Sequence, residues 1–105
     1  MATKEKSQAR KVLEKYTSGP QTLGRFITSI RKGEEMNLEE FGKQLGISQS
    51  HLSDIENGRK LVSAVLAAQY AKKLGYSEKQ FIRLALQDSL NRQGLEKYHV
   101  NIEAA

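Results

Sequence analysis

The sequence predicts an all-α fold, a bundle of five helices. Three observations carry this. Apolar residues recur at i, i+3, i+4 spacing through residues 22–93. Each periodic stretch opens on a residue suited to an N-cap: Thr22, Asn37, Ser48, Ser63 and Ser77. Each also closes at a glycine: Gly33, Gly46, Gly58, Gly75 and Gly94.

The first helix follows the break at Ser18-Gly19-Pro20, which contains the chain's one proline. Leu23, Phe26, Ile27 and Ile30 fall on one face, and Arg31 and Lys32 suit the negative end of the helix dipole. Asn37 caps a short second helix, with Glu39 and Glu40 at its positive end and Leu38, Phe41 and Leu45 facing inward. Ser48 opens the third, whose inner face is Leu52 and Ile55. Ser63 opens the fourth, with Val65, Leu66, Ala68, Gln69 and Ala71 as its body and Leu74-Gly75 at its end. Ser77 and Gln80 have capping-box spacing and open a fifth, with apolar Phe81, Leu84, Ala85 and Leu86.

Both ends of the chain differ from this pattern. Residues 1–21 form a basic arm with Lys4, Lys6, Arg10, Lys11 and Lys15; Ala9, Val12, Leu13 and Tyr16 have helical spacing within it. It would track phosphates or stand as a solvated arm. Residues 94–105 form a tail. Apolar and polar side chains alternate over 97–102, the period of a half-buried strand. A lone strand needs a partner, and the rest of the chain offers none. The expected partner is the same strand of a second subunit, the simpler alternative being a frayed end. The domain reading is therefore 1–21, 22–93 and 94–105.

The formal net charge of +5 favours a polyanionic partner, and the excess lies at the front of the chain. With no cysteine, disulfides and thiolate metal sites are ruled out. His51 and Asp54, with His99, are too few convergent ligands to predict a metal site. No nucleophile stands beside a base and no glycine-rich phosphate loop occurs, so neither an enzyme nor a cofactor is predicted. No apolar run approaches the ~18–20 residues of a membrane span, and the N-terminus lacks an apolar signal core. The expectation is a cytoplasmic protein with no membrane partner.

Function is carried by residues 37–58. Two short helices with a tight connection form a helix-turn-helix. Gly42 lies inside the first, where glycine costs ~1 kcal/mol relative to alanine. Close approach of the next helix is a reason to keep it. Gly46 permits the positive φ that reverses the chain. The N-terminal end of the second helix is then presented outward, in the shape that enters a major groove.

The run Asn37-Leu38-Glu39-Glu40-Phe41-Gly42-Lys43-Gln44-Leu45-Gly46-Ile47-Ser48-Gln49-Ser50-His51-Leu52-Ser53-Asp54-Ile55-Glu56-Asn57-Gly58 resembles the Cro/C1-type (XRE) helix-turn-helix family. Ala71-Lys72-Lys73-Leu74-Gly75-Tyr76-Ser77 resembles its fourth helix and turn. The resemblance covers about residues 22–90. It implies a five-helix, lambda-repressor-like bundle, a homodimer on double-stranded DNA, and a transcriptional regulator, here read as a repressor. Gln49, Ser50 and Asp54 match base-reading positions. Glutamine suits adenine N6/N7, serine several edges, and an Asp acceptor cytosine N4. Ser48 would cap the recognition helix and touch a phosphate or base. His51 and Ser53 would lie at the groove wall. Asn37, Lys43, Asn57, Arg59 and Lys60 would contact phosphates. Arg31 and Glu56 match a buried ion pair, a structural role; unpaired, Glu56 would repel DNA. Leu38 departs from the family's common Gln and removes an expected phosphate contact. Val62-Ser63 stands where the family often has Pro-Ser, and Ser63 still caps. An alternative function on the same fold is a protein-interaction module, an antitoxin masking a toxin or a coactivator-like bridge.

Overall fold

The computed structural model describes residues 21–105. Residues 1–20 of the basic arm, with their helical spacing, lie outside the described residues. Five helices follow in order: α1 Leu23–Gly33, α2 Leu38–Leu45, α3 Gln49–Glu56, α4 Ala64–Leu74 and α5 Glu78–Arg92.

The caps account for these boundaries. Thr22 Oγ1 accepts from Arg25 N at 3.0 Å. Asn37 Oδ1 accepts from Glu40 N at 2.8 Å, and Glu40 Oε1 accepts in return from Asn37 N at 3.0 Å, a full capping box. Ser48 and Ser63 each accept from the backbone N–H three residues on. A cap of this kind is worth about 1 kcal/mol. Ser77 accepts from Gln80 N, but the expected reciprocal box does not form. The Gln80 amide oxygen instead accepts from Arg83 Nε at 3.3 Å, one turn further along α5.

Apolar stripes from all five helices meet in one core. Leu23, Ile27, Phe41, Leu45, Leu52, Ala67, Ala71, Phe81 and Leu84 are almost wholly buried. Beside them Phe26 packs edge-on against Phe81, with ring centroids 5.7 Å apart, and against Tyr76 at 6.3 Å. These contacts tie the start of α5 to α1. The pairing of α4 with α5 is the most extensive, and α3 packs on both α1 and α2. The result is a platform of α1, α4 and α5 that carries the short α2–α3 unit at its surface.

The tail corrects one expectation. Residues 97–102 are not a strand in this structure. Gly94, with φ of 79°, ends α5, and Leu95 N donates to Leu90 O at 2.9 Å. The chain then turns back along α5. The buried Gln87 side chain donates to Tyr98 O at 2.8 Å and accepts from Val100 N at 2.8 Å. Its amide thus supplies the donor and acceptor that a neighbouring strand would have supplied. Val100 and Ile102 are half-buried while Tyr98, His99 and Asn101 are exposed, so the alternation marks a docked extended segment.

Candidate nucleic-acid interface

Two glycines set the angle between α3 and its neighbours. A Cβ on Gly42 would lie 2.8 Å from Ile47 O, so a side chain there would push the α2–α3 turn away. A Cβ on Gly24 of α1 would collide with the backbone carbonyl of Ile55 on α3. Gly46 adopts φ of 76°, and Ile47 N donates to Gly42 O at 3.0 Å, closing the turn. Lys73 of α4 reaches across to donate its Nζ to Leu45 O at 3.1 Å. It satisfies a free carbonyl at the end of α2 and places a cation at the negative end of that helix.

Helix α3 is held from behind. Arg31 Nε donates to Glu56 Oε2 at 2.8 Å and Arg31 Nη2 donates to Glu56 Oε1 at 3.0 Å. Arg31 Nη1 also donates to Met36 O at 3.0 Å. The pair is largely withdrawn from water, so a two-pronged geometry matters here. Glu56 is thereby turned inward and its charge neutralised.

Leu52 and Ile55 are buried, which leaves the opposite face of α3 outward. Ser48, Gln49, Ser50 and Asn57 are exposed; His51, Ser53 and Asp54 are half-buried at its margins. The structure therefore brings Gln49, Ser50, Ser53, Asp54 and Asn57 onto one surface. Three of these side chains have partners there, Ser53 Oγ through longer contacts of 3.4 Å from Asn57 Nδ2 and Arg59 Nη2. Asn57 Nδ2 donates to Ser53 O at 2.8 Å, folding the amide back on the helix. Asp54 Oδ1 accepts from Arg59 Nε at 2.8 Å. Asn37, at the start of α2, spends its side-chain oxygen on the cap. Lys43 is exposed and 3.8 Å from Glu39, a surface pair of little energetic weight. Lys60 is exposed beyond α3.

The sequence pattern did not single out Arg25 or Lys32 for this surface. They line a hollow of about 310 Å³ together with Thr28, Arg31, Glu56 and Asn57, beside the C-terminal end of α3. A signal existed: residues 25, 28 and 32 are spaced i, i+3, i+7 and share one face of α1. Among the described residues no group of three or more His, Cys, Asp or Glu could hold a metal ion. No helix among them is long and apolar enough to cross a membrane.

The arrangement is thus an outward short helix, capped at its N-terminus, carrying polar side chains and backed by a second helix across a tight turn. This is the shape of a major-groove reading head. Comparison with known proteins agrees. A 10 kDa protein of the ImmF control region of Bacillus phage phi105 is 43% identical over 49 residues, 47% of this chain and 54% of that protein. The match thus spans about half the length of that relative. No solved structure matches the chain. The profile of the helix-turn-helix domain family matches residues 24–87, the whole of α2 through α4 with most of α1 and α5. The chain belongs to the helix-turn-helix domain family, of the Cro/C1 (XRE) type.

Proposed function

We propose that this chain is a sequence-specific regulator of transcription, a repressor that binds duplex DNA as a homodimer. The observation that carries the reading is the outward face of α3. Gln49 and Ser50 stand exposed at its N-terminal end, while the one glutamate of the helix is locked behind it by Arg31. That combination gives hydrogen-bonding side chains toward bases and removes a charge that would repel phosphates.

Gln49 and Ser50 read base edges in the major groove, and Asp54 stands one turn further along the same face. Ser48, Asn37, Lys43, Asn57 and Lys60 set register on the sugar-phosphate backbone, with His51 and Ser53 at the groove wall. Arg25 and Lys32 extend the same cationic surface from α1. The relative from a phage control region supports a regulatory role. Two copies would read half-sites about one helical turn, ~34 Å, apart. Val65 is 68% exposed and Leu61 and Leu66 are also exposed, apolar surface that a second copy would cover. The protein works in the cytoplasm on this reading.

Binding to a selected operator, measured across a series of salt concentrations, tests the proposal. Q49A and S50A each lose about 1–3 kcal/mol of discrimination at their own base pair and leave the salt slope unchanged. K43A and K60A weaken all sequences alike and flatten that slope. If Q49A and S50A leave preference among operator variants untouched, α3 is not the reader.

A further inference from the structure

The segment after α3 folds back over the reading face in a fixed way. Gly58 has φ of 75°, with open space around it, so the conformation and not crowding calls for glycine. Gly58 N donates to Ile55 O at 3.1 Å and Arg59 N donates to Asp54 O at 2.9 Å, the paired bonds of a Schellman end. Lys60 N also reaches Asp54 O, at 3.2 Å. From the other side Arg92 of α5 donates its Nη2 to Gly58 O at 2.6 Å. Residue 59 is therefore held on both flanks, and its side chain returns across α3.

There the Arg59 guanidinium meets two residues of the recognition helix. Nε donates to Asp54 Oδ1 at 2.8 Å, and Nη2 makes a longer contact with Ser53 Oγ at 3.4 Å. These bonds use the side edge of the guanidinium. Its far edge, Nη1 with the second Nη2 proton, has no partner among the described residues, on a side chain that is 59% exposed. Guanine presents two adjacent acceptors, O6 and N7, in the major groove, and that edge of an arginine matches them in a two-pronged fashion.

We infer that Arg59 is a base-reading residue specific for guanine, and that Asp54 is its positioning residue and not itself a reader of cytosine. The inference rests on the reading of α3 as a DNA-recognition helix. Two arguments favour bases over phosphates as the target. Asp54 lies four residues past Ser50, on the same outward surface, so the guanidinium it holds stands among the reading positions. An acidic group also repels phosphate, whereas beside a base-reading arginine it neutralises charge and fixes the plane of the fork. A free arginine would give up more side-chain freedom on binding.

The test begins with duplexes selected by the unaltered protein from a random pool. Affinity at one stated salt concentration is then measured for the wild type, R59A, R59K and D54N. Targets are the selected operator and versions with each guanine replaced. Replacing one guanine in each half-site is expected to cost the wild type roughly 10- to 100-fold in affinity. The same replacement should cost R59A and R59K little, because lysine keeps the charge but lacks the fork. D54N should reduce that guanine preference to a few-fold while leaving affinity for the replaced operators near wild type, a pattern that a merely structural role would not give. The inference is overturned if R59A and R59K weaken every operator alike and retain the preference, which is the behaviour of a phosphate contact. It is overturned for Asp54 if D54N keeps the full preference. Should the wild type enrich no sequence at all, the DNA-reading function itself fails, an outcome distinct from an operator whose guanines ignore Arg59.

Discussion

Arg31 of α1 and Glu56 of α3 share two hydrogen bonds, at 2.8 and 3.0 Å, with side chains only 14% and 6% exposed. This pair is a polar fastening between the platform and α3. Removing one partner leaves the other charge buried. E56A is expected to destabilise the domain by about 3–5 kcal/mol in urea unfolding. Replacing both residues by apolar ones of similar size, R31M with E56L, should recover much of that loss. A cost below about 1 kcal/mol for E56A would mean the pair is effectively solvated.

Gly24 and Gly42 define how closely α3 approaches its neighbours. G24A sets a methyl group against the Ile55 carbonyl, which belongs to the backbone and has little room to move. The expected loss is about 1–3 kcal/mol, even though alanine is the better helix former by ~1 kcal/mol. G42A meets Ile47 O at 2.8 Å and should also destabilise, more mildly. Thermal unfolding of both variants checks this; a stabilised G24A would show that α1 and α3 can separate freely.

Asp88 of α5 supports the start of α1, its Oδ2 accepting from Leu23 N at 3.0 Å. Its Oδ1 is buried and has no hydrogen-bond partner among the described residues. Burial raises its pKa above the ordinary 3.8, partly opposed by the Leu23 N–H and by Arg92. A raised folded-state value means protonation favours the folded form. The contribution of Asp88 is then most favourable below the unfolded value and is lost as pH rises through the folded one. Relative to D88N, whose side chain does not titrate, the wild type should gain stability as pH falls through the raised value toward 3.8. Chemical denaturation of both proteins between pH 3 and 7 measures the difference, and a wild type that instead loses ground to D88N on acidification would reverse the assignment.

Gln87 holds the tail by both ends of its amide. Q87L removes the acceptor for Val100 N and the donor for Tyr98 O. Hydrogen exchange at the Val100 amide should accelerate while the amides of α1–α4 keep their protection. Unchanged protection at Val100 would mean that apolar contacts of the tail hold it in place without Gln87.

The helices were legible because their signals are local. Five caps and the glycines that follow them act within a few residues, and the structure uses Asn37, Ser48, Gly46 and Gly75 where the pattern put them. Glu56 was legible for another reason: the family resemblance matches it to a buried ion pair with Arg31, and a carboxylate facing DNA would need such a partner. The unread features depend on chain segments far apart. Lys73 on Leu45 O, Arg92 on Gly58 O and Gln87 on the tail join residues whose proximity exists only after the bundle is packed. The tail misled because period two reports a half-buried extended segment and not what it pairs with. Asp54 and Arg59 are close in sequence, yet only the left-handed turn at Gly58 brings their side chains together.

The central proposal for α3 is that it reads duplex DNA. Selection of bound duplexes from a random pool by the full chain, at a stated salt concentration, tests this most directly. The expected result is enrichment of one site with dyad symmetry, its half-sites about one helical turn apart, lost with Q49A. Uniform recovery of unrelated sequences, with Q49A behaving as the wild type, would contradict it.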